Sequence, residues 1–279
     1  MSQVEVRIRS RRFLETQRQD GWWIQPLLVF LGLGAFIVYS TWAAFQGKNF
    51  FVDAGGAHYL SPMYSPVIFD PVGVHSGHAL FGEAPKWFLN IWPGFITYSP
   101  AFLILIFPGL FRFTCYYYRG AYYKAFWLSP SNCTVGKPLK GYRGEAKFPL
   151  ILQNIHRYFM YVAIVFIGIL SYDAVMSYTW IDPDTKSRVF GVGLGSLVLT
   201  INPILLGGYT FGCHSLRHLV GGRKDCVSTA VGGALPYKCV SCLNSRHMRW
   251  AWASLFWVGF TDFYVRMCAS GAWIDWRIF

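Results

Sequence analysis

Five stretches of this 279-residue chain, 22–45, 95–113, 155–176, 190–213 and 250–268, are apolar over roughly the length a helix needs to cross a bilayer. About 20 residues at about 1.5 Å each cover a hydrocarbon core of about 30 Å. Inside lipid such a segment must be helical, because its backbone N–H and C=O groups find no water and have to pair within the segment. The fold class that follows is an all-α integral membrane protein, a bundle of five transmembrane helices. Composition points the same way: 14% of residues are charged and 54% hydrophobic, against about 25% charged in soluble domains. Trp22, Trp23, Trp87, Trp92, Trp180, Trp250 and Trp273 lie at or just beyond the span ends, where interfacial tryptophans sit.

A net charge of +12 raises the question of nucleic acid, but the cations follow the hydropathy pattern and form no continuous basic face. Arg7, Arg9, Arg11, Arg12 and Arg18 precede the first span; Arg119, Lys124, Lys137, Lys140, Arg143 and Lys147 lie between the second and third; Arg217, Arg223, Lys224, Lys238, Arg246 and Arg249 lie between the fourth and fifth. These segments share one side of the membrane, so the positive-inside rule places the N-terminus in the cytoplasm and the C-terminus outside. Nucleic acid is excluded as a partner, and lipid is the expected surroundings. Residues 1–21 read as a basic cytoplasmic arm without a signal-peptide cleavage site, and 22–279 as one five-helix membrane domain. The outer segment 46–86 is rich in Gly, Pro and aromatics and carries His58, His75 and His78, which read as polar surface residues.

Soft ligands concentrate between Cys213 and His247. His214 and His218 are four apart, on one face of a helix. Cys239 and Cys242 form a C-x-x-C pair whose sulfurs can grip one metal through a tight turn. Two nitrogens and two sulfurs suit structural zinc or an iron–sulfur centre, and spacing does not separate the two. The order of an ordinary Rieske domain is absent, although a Rieske-type ligand set, two Cys on one iron and two His on the other, remains open. Cys226 lies between the two halves, and His247 five residues beyond the C-x-x-C pair. The reducing side of the membrane favours thiolates over disulfides.

A second inner-surface group, Arg119 and Trp127 with His156, Arg157 and Tyr158, offers donors and flat rings for a quinone head beside an apolar groove for its tail. Asp262 and Arg266, four apart in the fifth span, read as a pair. Spans one and two contain no histidine, which makes haem an unfavourable reading. A membrane scaffold or transporter with a structural zinc site is the alternative function.

The segments FRFTCYYYRGAYYKAFW, YRGEAKFPLILQNIHRYFMY, TFGCHSLRHLVGG and NSRHMRWAWASLFWVGFTDFYVR together resemble the membrane-anchor (C) subunit of an actinobacterial succinate dehydrogenase, respiratory complex II, of the haem-free mycobacterial class. The resemblance implies a multi-pass protein of the bacterial plasma membrane that docks a flavoprotein subunit and an iron–sulfur subunit and passes electrons from succinate to quinone. It would be a subunit of succinate:quinone oxidoreductase and no catalyst on its own. The resemblance also implies a membrane-embedded Rieske-type [2Fe–2S] cluster in place of haem. It would be ligated by His214, His218, Cys239 and Cys242, with His247, His156 and Cys226 as substitutes.

Overall fold

The computed structural model describes residues 11–52, 57–138, 146–148, 150–182, 184–185, 187–222 and 234–279. The chain divides into two compact units, one made of residues 1–35 and 112–155, the other of 36–111 and 156–279. Nine α-helices are present among the described residues: α1 Ile24–Gln46, α2 Lys86–Ile91, α3 Ala101–Phe113, α4 Tyr116–Ala121, α5 His156–Met176, α6 Leu194–Phe211, α7 His214–Gly221, α8 Ala234–Ser245 and α9 His247–Ala269. Two short antiparallel pairs accompany them, β1 Phe51–Val52 with β2 Tyr59–Leu60, and β3 Thr179–Ile181 with β4 Arg188–Phe190.

Among the described residues α1, α6 and residues Ile151–Met176 are long and apolar enough to cross a membrane, with a fourth span if α3 and Tyr116–Phe126 count as one broken segment. The helix α9 is as long as α1 but carries Arg249, Asp262 and Arg266, which lowers its hydropathy. Two span boundaries need correction. Residues 95–100 are not helical, since α3 begins only after Pro100; the proline ring drives Ser99 out of the helical region. Phe190 belongs to β4, and α6 starts at Leu194.

In the larger unit α6 packs against α5 on one flank and α9 on the other. A Cβ on Gly208 would meet the Trp250 ring at 2.5 Å, so the hydrogen side chain is what lets the α9 indole lie against the α6 backbone. Segment 46–86 is more than a polar loop. Phe50, Leu60, Met63, Tyr64 and Val67 form a core with Ala43, Ala44 and Ala101, and Phe50 stacks on Tyr64 at 4.5 Å. His58 and His78 stack face to face at 4.0 Å, and His75 is exposed. Ring nitrogens present their lone pairs in the ring plane, so stacked faces do not converge on an ion. Burial, then the neighbouring His58, pushes His78 down to about 4.

The Asp262–Arg266 pair is buried and forms a hub. Arg266 Nε donates to Asp262 Oδ2 at 2.7 Å, and Nη1 and Nη2 donate to the carbonyls of Lys48 and Ala43 at 3.0 and 3.1 Å. Asp262 also accepts from Tyr39 Oη at 2.6 Å and from Ser61 Oγ. A helix leaves its last four carbonyls without intrahelical donors. The guanidinium supplies one at Ala43 and thereby fastens α9 to the end of α1, where Gly47 turns the chain with φ +58°.

The smaller unit folds the arm onto residues 132–136. Leu14 N donates to Gly136 O at 3.0 Å, Gly136 N to Glu15 O at 2.9 Å, and Asn132 Nδ2 to Trp22 O at 3.0 Å. After α4 the helix widens into a π turn, Tyr122–Phe126. Lys137 and Lys147 are exposed; Lys140 and Arg143 lie outside the described residues.

Candidate metal centre

Three helix ends meet in the larger unit. His156 is the first residue of α5, Cys213 follows α6 as the N-cap of α7, and His247 is the first residue of α9. His156 and Cys213 are buried, 8% and 2% exposed, and His156 Nε2 stands 3.0 Å from Cys213 Sγ. Aromatic rings hold this pair. The His156 ring stacks on Phe111 at 4.8 Å, Phe111 meets Tyr209 at 5.3 Å, and Tyr209 stacks on His247 at 4.9 Å. The two imidazoles lie within electrostatic reach of each other. Two nitrogens and one sulfur therefore lie around one apolar frame.

The pairs singled out by spacing are arranged differently. His214 and His218 are exposed on α7, with their Nε2 atoms 3.0 Å apart and rings at 83°. Desolvation, then His218 and Arg217, holds His214 below the ordinary imidazole value. The C-x-x-C pair lies within a helix, α8, and not on a tight turn. That helix meets α7 through Arg217, which donates to Ser241 Oγ at 3.1 Å and to Tyr237 Oη at 2.9 Å. At about 100° per residue, the face holding Tyr237 and Ser241 turns Cys239 nearly opposite and Cys242 to the side. Both thiols are exposed. Among the described residues no three His, Cys, Asp or Glu side chains converge tightly enough to hold one ion. Cys226 lies outside the described residues.

The residues read as quinone ligands belong to both units. His156 points inward to Cys213, whereas Arg157 and Tyr158 are exposed on α5. In the smaller unit Arg119 lies over the Tyr116 ring at 4.3 Å, Arg112 Nη1 donates to Tyr118 Oη at 2.9 Å, and Trp127 is exposed after the π turn. Spacing rules missed Cys213. Its one local signal is its place at the end of α6, between Gly212 and His214.

A model of the family described as actinobacterial succinate dehydrogenase subunit SdhC matches residues 24–271. A chain of the Mycobacterium smegmatis Sdh1 complex in the apo form is similar in structure with a TM-score of 0.82 and 42% identity, over 97% of this chain and 96% of that one. No curated protein matches. The family match covers most of the length, and the apolar helices are long enough to cross a membrane. The chain belongs to the SdhC family and is a membrane subunit of succinate dehydrogenase.

Proposed function

We propose that this subunit anchors the flavoprotein and iron–sulfur subunits of succinate dehydrogenase to a bacterial plasma membrane and passes their electrons to quinone through a Rieske-type [2Fe–2S] cluster. In this reading five helices cross the membrane, α9 among them, with the N-terminus cytoplasmic and the C-terminus outside. Neutralisation of Asp262 by Arg266 inside the protein supports counting α9 as a span. The similarity to a chain of an Sdh complex supports the soluble subunits as partners. The observation that carries the cofactor is the buried contact between His156 and Cys213 with His247 close by. We assign His156, His247 and Cys213 as three of the ligands, in preference to the exposed His214–His218 and Cys239–Cys242 pairs; a two-iron cluster divides its donors between two ions, so the three need not converge on one. The donor chemistry fits, since such a cluster takes two imidazoles and two thiolates.

When bound, the cluster would supply a one-electron relay between the soluble donor and quinone. His156 and His247 would each present a neutral imidazole, and Cys213 would lose its proton to bind. Phe111 and Tyr209 fix the imidazole planes and keep water out. Arg119 and Trp127 remain the residues assigned to the quinone head, with Arg157 and Tyr158 at the lipid-facing surface of α5.

The assignment is tested by changing Cys213, Cys239 and Cys242 to serine one at a time and following the cluster's EPR signal in the assembled complex. Cys213 is buried against His156 whereas the C-x-x-C thiols are exposed, so Cys213→Ser should remove the signal while the other two leave it. Loss with Cys239→Ser and Cys242→Ser, and retention with Cys213→Ser, would return the site to the C-x-x-C pair.

A further inference from the structure

The last seven residues turn apolar side chains outward. Ile274, Trp276 and Ile278 are 87%, 75% and 62% exposed, while Asp275 between them is half-buried. Asp275 accepts from Gly195 N at 2.9 Å, from Tyr59 Oη at 2.6 Å and from Tyr264 Oη. The Arg277 guanidinium lies over the Trp180 ring at 5.1 Å. Successive side chains of an extended chain point to opposite faces, so this is an extended tail with Ile274, Trp276 and Ile278 turned out and Asp275 turned in, joined to the chain before α6 by one bridge, Gly193 with Arg277. Its backbone is fixed beside the start of α6: Leu194 N donates to Trp276 O at 3.0 Å, Val192 N to Phe279 O at 3.0 Å, and Ile278 N to Val192 O at 2.7 Å.

We infer that this C-terminal tail is an interfacial element whose Ile274–Trp276–Ile278 face lies in phospholipid at the boundary between headgroups and acyl chains. Continuity with the lipid surface of the bundle supports it. Leu194, Leu197, Ile201 and Ile204 are exposed along one stripe of the span α6, and Leu194 is the residue bonded to Trp276. The exposed Phe190 ring extends the same surface toward Phe279, 6.4 Å away.

Depth follows from two opposed demands. Five exposed apolar side chains, Trp273 and Phe279 included, disfavour water. Among the described residues no strand pairs the tail's other edge, and unpaired backbone groups disfavour hydrocarbon. The boundary satisfies both, and tryptophan prefers it.

The test replaces Trp276 and, separately, Ile278 with p-benzoylphenylalanine in the full chain, assembled in the complex in native membranes. The subunit is then illuminated and weighed. Ile204 serves as the lipid-facing control and Thr185, in the β3–β4 loop, as the aqueous one. Phospholipid-mass adducts at positions 276 and 278, as at 204 and unlike 185, are expected. A crosslink to another protein chain would assign the face to a subunit contact and overturn the inference. So would the absence of adducts at both positions while 204 reacts. Neither result depends on the cluster assignment.

Discussion

Changing His156 to alanine should abolish electron transfer to quinone while the soluble subunits go on oxidising succinate with an artificial acceptor. His156 is in contact with Cys213 and stacked on Phe111, so its removal takes away a nitrogen ligand and one wall of the site. Loss of a partner one shell further out already costs about 10–100-fold in metal affinity or activity. A direct ligand should therefore cost about 100-fold or more. Cys213→Ser should do the same. The His214→Ala, His218→Ala double variant should keep most quinone activity, because that pair is exposed whereas His156 and Cys213 are buried. Assay of membranes with both acceptors separates the cases. Parallel loss of the two activities would mean that the complex fails to assemble; full quinone activity in His156→Ala would remove this residue from the ligand set.

The second large effect is on stability. Arg266→Leu would leave the Asp262 carboxylate buried with only hydroxyl donors, from Tyr39 and Ser61. It would also deprive the Ala43 and Lys48 carbonyls of their guanidinium partner. Breaking one side of a buried ion pair costs about 3–5 kcal/mol, a large share of the 5–15 kcal/mol that holds a typical domain folded. The amount of subunit recovered from membranes and its thermal midpoint in detergent should both fall sharply. Removing both charges, Asp262→Leu with Arg266→Met, should cost less than Arg266→Leu alone. If the double variant is the worse of the two, the pair matters through its hydrogen bonds to α1 more than through charge.

Legibility followed the range of the forces involved. Apolar spans were readable because lipid imposes helix on any long apolar segment, and α1, α5 and α6 lie close to where hydropathy put them. Hydropathy alone overran Pro100, whose effect on Ser99 is local geometry. In segment 46–86 the histidines read as polar surface, whereas the fold buries Phe50, Tyr59, Met63 and Tyr64 there, a packing that the composition alone does not place. The Asp262–Arg266 pair was visible from its i, i+4 spacing, but Tyr39, Ser61 and the α1 carbonyls join it only through the fold. Ligand spacing finds donors that are neighbours in the chain, such as His214 with His218. His156 and Cys213 are 57 residues apart and meet because the ends of α5 and α6 meet. No local pattern encodes that contact. The C-x-x-C pair was misplaced for a related reason, since two intervening residues suit a tight turn and a helix equally.

The central claim, an iron–sulfur centre held by this subunit, is tested most directly by iron, acid-labile sulfide and zinc per flavin, measured on the intact complex and on the soluble subunits stripped from it. The intact complex should exceed the stripped subunits by one [2Fe–2S] equivalent, with no haem in its pyridine haemochrome spectrum and an EPR signal that Cys213→Ser removes. Equal iron and sulfide in the two preparations, with stoichiometric zinc staying in the membrane subunit, would contradict it.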